Sequence, residues 1–189
     1  MKKRNRNFKM VLSALFLALT YLMPFLTGQI PEIGSMLCPM HIPVLLCGFI
    51  CGWPWGLAVG FIAPLLRSVT LGMPPLFPTA FAMAFELAAY GAASGLMHRS
   101  LPRKKPFIYC SLITAMIAGR IVWGVVMFLC TLSGGAFKLS AFIAGAITNA
   151  LPGIILQIVI VPVLVMLLEN LRILRSDRYE TFKSAQNNP

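Results

Sequence analysis

Residues 33–66 read IGSMLCPMHIPVLLCGFICGWPWGLAVGFIAPLL, a run bounded by Glu32 and Arg67 that holds no Asp, Glu, Lys or Arg. A helix that crosses the hydrocarbon of a bilayer needs about 20 mainly apolar residues. The run is therefore too long for one span, and too apolar to cover a soluble domain. Gly52-Trp53-Pro54-Trp55-Gly56 supplies the break within it. Proline and glycine end a helix, and tryptophan suits the membrane interface. Two spans are predicted here, over 36–52 and 55–72.

The rest of the chain follows the same pattern. Of its 189 residues, 58% are hydrophobic and 11% charged, where a soluble domain carries about 25% charged residues. That composition excludes an ordinary cytosolic enzyme, a disordered chain and a small disulfide-rich secreted domain. Further uncharged runs lie at Ser68–Phe85, Leu87–His98, Pro106–Gly119, Ile121–Phe137 and Leu139–Leu168, with another between Lys9 and Glu32. They add spans near 9–28, 79–98, 107–131 and 139–168. The expected architecture is all-α: a single membrane domain over 1–189, a bundle of six transmembrane helices ending in a polar tail at 176–189. No internal repeat is evident, and the chain is too small for the two-halved plan of many secondary carriers.

Basic residues set the expected orientation. Thirteen of the 16 Lys and Arg fall within 2–9, 99–105 and 172–183, all on one side of a six-span chain, and only Lys138 falls on the other. The positive-inside rule places both termini and the 99–105 loop in the cytoplasm. The net charge of +11 is thus a mark of topology, not of nucleic-acid binding. Short outer loops at 28–35, 73–78 and 132–138 leave no extracellular domain. The first span is not read as a cleaved signal, since equally apolar segments follow it.

Three charged residues lie within predicted spans: Arg67, Glu86 and Arg120. A charge at mid-span costs about 2.5–3.5 kcal/mol on insertion scales, which makes each a functional candidate. At about 1.5 Å rise per residue, these three, His41 at the start of the second span and Asn149 in the sixth fall in the outer half or near the midplane. Trp123 and Met127 follow Arg120 on nearly the same face. The set reads as a polar cluster opening outward and closed below by apolar helix. Arg67 and Glu86 have a second reading, as a structural ion pair joining the third and fourth spans. Arg120, with no second intramembrane carboxylate to meet, points to a bound anion or to backbone carbonyls. His41 stands between Pro39 and Pro43, where capping or packing is the plainer role. Gln157 reads as an interhelical hydrogen-bond partner.

No P-loop, H-E-x-x-H or G-x-S-x-G motif occurs, and two His with one intramembrane acid make hydrolase chemistry hard to assemble. The five cysteines form no C-x-x-C and read as small buried apolar residues, so no metal site is expected. Ladders of small residues allow close helix approach: Ala80, Ala84, Ala88 and Ala92 in the fourth span, Gly145, Asn149 and Gly153 in the sixth, and Ala14 with Ala18 in the first.

The stretch Pro39-Met40-His41-Ile42-Pro43-Val44-Leu45-Leu46-Cys47-Gly48, with Gly52, Trp55-Gly56-Leu57 and Gly60, resembles the substrate-binding (S) components of energy-coupling-factor (ECF) vitamin importers. So does Pro64-Leu65-Leu66-Arg67-Ser68 followed by Gly72-Met73-Pro74-Pro75-Leu76. The resemblance implies a six-helix bundle in the bacterial plasma membrane that binds a vitamin or related micronutrient near the outer face. It also implies docking to a transmembrane coupling subunit driven by two ATPase subunits. ATP would then be used by those partners, and this chain would need no cofactor of its own. In the family an Ala-x-x-x-Ala pattern on the first span contacts the coupling subunit, and Ala14 and Ala18 match it.

The expected ligand site comprises His41, Arg67, Glu86, Arg120, Trp123 and Asn149. Two arginines against one glutamate favour an anionic ligand, a carboxylate-bearing vitamin such as pantothenate, with riboflavin or another neutral heterocycle as the alternative. Thiamine is disfavoured for want of a free carboxylate and a rich aromatic cage. Two other classes stand beside the importer reading. One is a membrane-embedded enzyme using Glu86, His41 and Arg120 on a lipid-soluble substrate; the other is a helical scaffold with no small ligand.

Overall fold

The computed structural model describes residues 2–27, 37–102, 105–132 and 151–170. Among them there are six long or medium α-helices and no strands: α1 (Lys2–Leu22), α2 (His41–Cys51), α3 (Trp53–Leu71), α4 (Phe81–Ser100), α5 (Lys105–Leu132) and α6 (Leu151–Asn170). A 3₁₀ turn over Met23–Thr27 extends α1, and a wide turn over Leu76–Ala80 leads into α4. Five helices are long and apolar enough to cross a membrane. The predicted sixth-span residues 139–150, including Asn149, and the tail at 176–189 lie outside the described residues.

The second span differs in kind from the others. At about 1.5 Å per residue the 11-residue α2 covers about 16 Å, about half the hydrocarbon thickness. Every residue from His41 to Cys51 is buried. The helix is the core of the bundle, packed by α1, α3, α4 and α6. Lipid-facing side chains sit on the surrounding helices instead, such as Val11, Val69, Ile121 and Ile155. A helix apolar on all sides is accounted for by this central seat.

The junction between α2 and α3 is Gly52, at φ 97° and ψ 168°, a conformation open to glycine and costly for other residues. Its N–H still bonds the Gly48 carbonyl at 3.1 Å, and Pro54 follows in the first turn of α3, where a missing N–H costs nothing. The Gly52 carbonyl in turn accepts from the N–H groups of Trp55 and Gly56 at 3.2 and 3.1 Å, so the junction keeps backbone pairing on both sides of the break, as an apolar medium requires.

Among the described helices, α3 and α4 share the most extensive interface, and glycine makes it possible. A Cβ at Gly91 would fall on the Gly56 carbonyl, and one at Gly60 on the Leu87 carbonyl. Close backbone approach of this kind is the packing mode of membrane helices, where small residues replace the hydrophobic drive.

Candidate functional site

Three of the polar residues singled out in the sequence meet between α2, α4 and α5. Glu86, 2% exposed, faces inward from the second turn of α4. Arg120 reaches it from α5, with Nη1 3.1 Å from Glu86 Oε1. His41, the first residue of α2, brings Nε2 to 3.7 Å from the same oxygen, a gap longer than a hydrogen bond. The fold has to join these residues because α2 is central and touches α4 along its length.

The orientation of His41 is fixed from behind. Its Nδ1 lies 3.2 Å from the Cys38 carbonyl, which can only accept, so Nδ1 is the protonated nitrogen. The ring also meets Tyr90 edge-on, with centroids 5.0 Å apart. Tyr90 is in turn clamped by α5, since a Cβ on Gly119 would press on its ring. Cys38 and Tyr90 both lie within electrostatic reach of Glu86 and Arg120. These two residues were missed in the sequence reading, although register could have found them. Tyr90 is one turn beyond Glu86 on α4, and Cys38 is one turn before His41.

Hydrogen-bonding capacity in the cluster is incomplete. Among the described residues, the buried His41 Nε2 and Arg120 Nε have no hydrogen-bond partner, and Glu86 Oε1 has none beyond its ion-pair contact with Arg120. Buried polar atoms are paired in the great majority of cases, so this grouping is an exception among the described residues. Among the described residues no three His, Cys, Asp or Glu side chains gather as a metal site. The free cysteines include Cys47, buried, with its thiol 3.8 Å from the Ser13 hydroxyl.

The charge pairing departs from expectation. An Arg67–Glu86 ion pair was one of two readings, and Arg120 was expected to have no carboxylate to meet. The structure pairs Glu86 with Arg120 instead. Arg67 turns to the end of α1, donating from Nη1 to the Tyr21 carbonyl at 3.3 Å and lying over the Phe25 ring at 5.6 Å. A carbonyl in the last turn of a helix has no intrahelical partner and carries partial negative charge, so a guanidinium is well matched to it. Tyr21 and Thr70 hydroxyls, 3.1 Å apart, join the same two helices. Trp123 stands one turn beyond Arg120 on α5 and is partly buried; Asn149 lies outside the described residues. Ala14 and Ala18 are both exposed, on the face of α1 opposite the buried Ser13, Phe16 and Thr20.

Apolar helices around a buried polar cluster define a membrane-embedded helical protein. A family model described as ECF transporter, substrate-specific component, matches residues 8–165. The chain belongs to that family. It is a family of transporter components rather than enzymes, whose members bind a small-molecule substrate and associate with a coupling subunit and ATPases. No curated protein and no solved structure matches the chain.

Proposed function

We propose that this chain is the S component of an ECF-type importer and that it captures a small polar micronutrient on the His41–Glu86–Arg120 cluster. The observation that carries this reading is the group of buried polar atoms at one point of the bundle whose hydrogen-bonding capacity is incomplete among the described residues. Trp123, one turn beyond Arg120 on α5, and Asn149 are its proposed further contributors. Six spans with both termini cytoplasmic put the cluster in the outer half. This follows the basic-residue asymmetry, with α2 as a short, protein-sheathed second span. The exposed Ala14 and Ala18 are the proposed contact with the coupling subunit, and the ATPases supply the energy.

The pairing of Glu86 with Arg120 bears on the ligand. A preference for a carboxylate such as pantothenate rested on surplus positive charge in the site. Glu86 offsets Arg120, and Arg67 serves α1, which favours an uncharged polar heterocycle of the riboflavin kind. Glu86→Gln separates the two. A carboxylate ligand competes with Glu86 for the guanidinium, so neutralising Glu86 would tighten it. An uncharged ligand that donates to Glu86 would be weakened. Thermal-shift titration of the purified protein and of this variant, with riboflavin and with pantothenate, tests the reading. Stabilisation of the folded state by mass action reports binding. Failure of every water-soluble vitamin to stabilise the wild-type protein would refute it.

A further inference from the structure

Four buried side-chain atoms have no hydrogen-bond partner among the described residues, and the fourth is Oε1 of Gln157 on α6. Gln157 is 2% exposed and shares a buried stripe with Gly153, Val161 and Val165. Such i, i+4 spacing forms one face of a helix, and α6 packs through its buried side on α2, which begins at His41, and on α5, which carries Arg120. A buried amide carbonyl without a donor is costly. A purely structural glutamine would be expected to have found a partner, because that is what a polar residue contributes between membrane helices.

The four orphans also have a chemical sense. Arg120 Nε–H is a donor. Glu86 Oε1 and Gln157 Oε1 are acceptors, and His41 Nε2 is an acceptor in the neutral ring because Nδ1 holds the proton. Glu86 Oε1 already meets Arg120 Nη1 at 3.1 Å, which leaves one donor, Arg120 Nε–H, and two open acceptors, His41 Nε2 and Gln157 Oε1. They ask for the complement: a ligand with O–H or N–H groups and one carbonyl or ring nitrogen to receive Arg120.

Resting on the binding reading above, we propose that Gln157 is a specificity-determining residue of the ligand site. It selects an uncharged, hydroxyl- or amino-rich heterocycle by accepting one of its hydrogen bonds. Gln157→Met keeps the length of the side chain and removes the acceptor, and Gln157→Leu removes it with a different shape. Full-length protein in detergent is titrated with riboflavin and, separately, with pantothenate, recording both Kd and the ligand-free melting temperature. The expected result is riboflavin binding weakened about tenfold or more, the effect of one buried hydrogen bond. The ligand-free melting temperature should be unchanged or higher, because a stranded acceptor has been deleted. Should one variant fail to fold, the other carries the test. Affinity within twofold of wild type in the folded variant, or a lowered ligand-free melting temperature with affinity kept, overturns the proposal by making Gln157 structural. In those cases the loss of binding expected in Arg120→Gln still upholds the site itself. If wild-type protein binds neither probe, the inference falls together with the site reading.

Discussion

Glu86 Oε1 stands 3.1 Å from Arg120 Nη1 and 3.7 Å from His41 Nε2, so a single carboxylate oxygen pairs α4 with α5 beside the first residue of α2. Removing one member of such a pair strands the other charge in a poorly solvated place, at about 3 kcal/mol or more when burial is complete. The Arg120 side chain is 21% exposed, which lowers that figure. Glu86→Ala is therefore expected to destabilise the protein by about 2 kcal/mol. The double variant Glu86→Leu, Arg120→Met should recover most of the loss. Thermal unfolding of the two singles and the double, read as a double-mutant cycle, checks it.

Arg120→Ala is expected to abolish ligand binding while the purified protein remains folded, because the guanidinium is the orphan donor of the cluster as well as the partner of Glu86. Isothermal titration beside a size-exclusion profile tests this. A Kd within a few-fold of wild type would remove Arg120 from the site.

Arg67 should behave differently. Its bond to the Tyr21 carbonyl and its position over Phe25 hold α1 against α3. Arg67→Met should cost about 2 kcal/mol of stability, the scale of one charge-assisted hydrogen bond with a cation–π contact. Ligand affinity should stay within about twofold. Melting curves with and without ligand separate the two effects.

Gly91→Ala would drive a methyl onto the Gly56 carbonyl, which neither backbone can yield cheaply. Overpacking of this kind costs about 1–3 kcal/mol. Gly72, at φ 70° with nothing within 4 Å of an added Cβ, offers the contrast. Gly72→Ala meets only backbone strain, about 1 kcal/mol. Denaturation of the two variants side by side should rank them in that order.

Ala14→Leu with Ala18→Leu alters a face of α1 turned away from the bundle. Binding by the isolated chain should be unchanged, while assembly with the coupling subunit and uptake should fall. Radiolabelled uptake measured beside ligand titration makes the distinction, and equal uptake would move the docking face elsewhere.

Much of this architecture is legible in one dimension because each apolar run reports a solvent. The runs around 9–28, 55–72, 79–98 and 107–131 each overlap a helix long enough to cross a membrane, and Gly52 is where the uncharged 33–66 stretch divides. The meeting of His41, Glu86 and Arg120 also follows from depth, since helices alternating in direction bring these positions to similar levels. Partner choice does not follow from depth. Arg67 and Arg120 were both possible mates for Glu86, and the selection depends on how α3 and α5 rotate about their own axes. Rotation is set by packing such as Gly60 on Leu87 and Gly119 on Tyr90. Hydropathy averages over a helix circumference and is blind to it. The shortness and full burial of α2 were hidden for the same reason: lipid and protein interior are equally welcoming to Val44, Leu45 and Leu46.

Helix α2 is buried at every residue from His41 to Cys51, and this sets what the bilayer can do to the protein. Among the described helices, the exposed large apolar side chains sit on α1, α3, α4, α5 and α6, so a thinner membrane or a change of detergent should strain the outer staves before it reaches the central peg on which His41 is mounted. Affinities measured in micelles should carry over to native lipid with little correction.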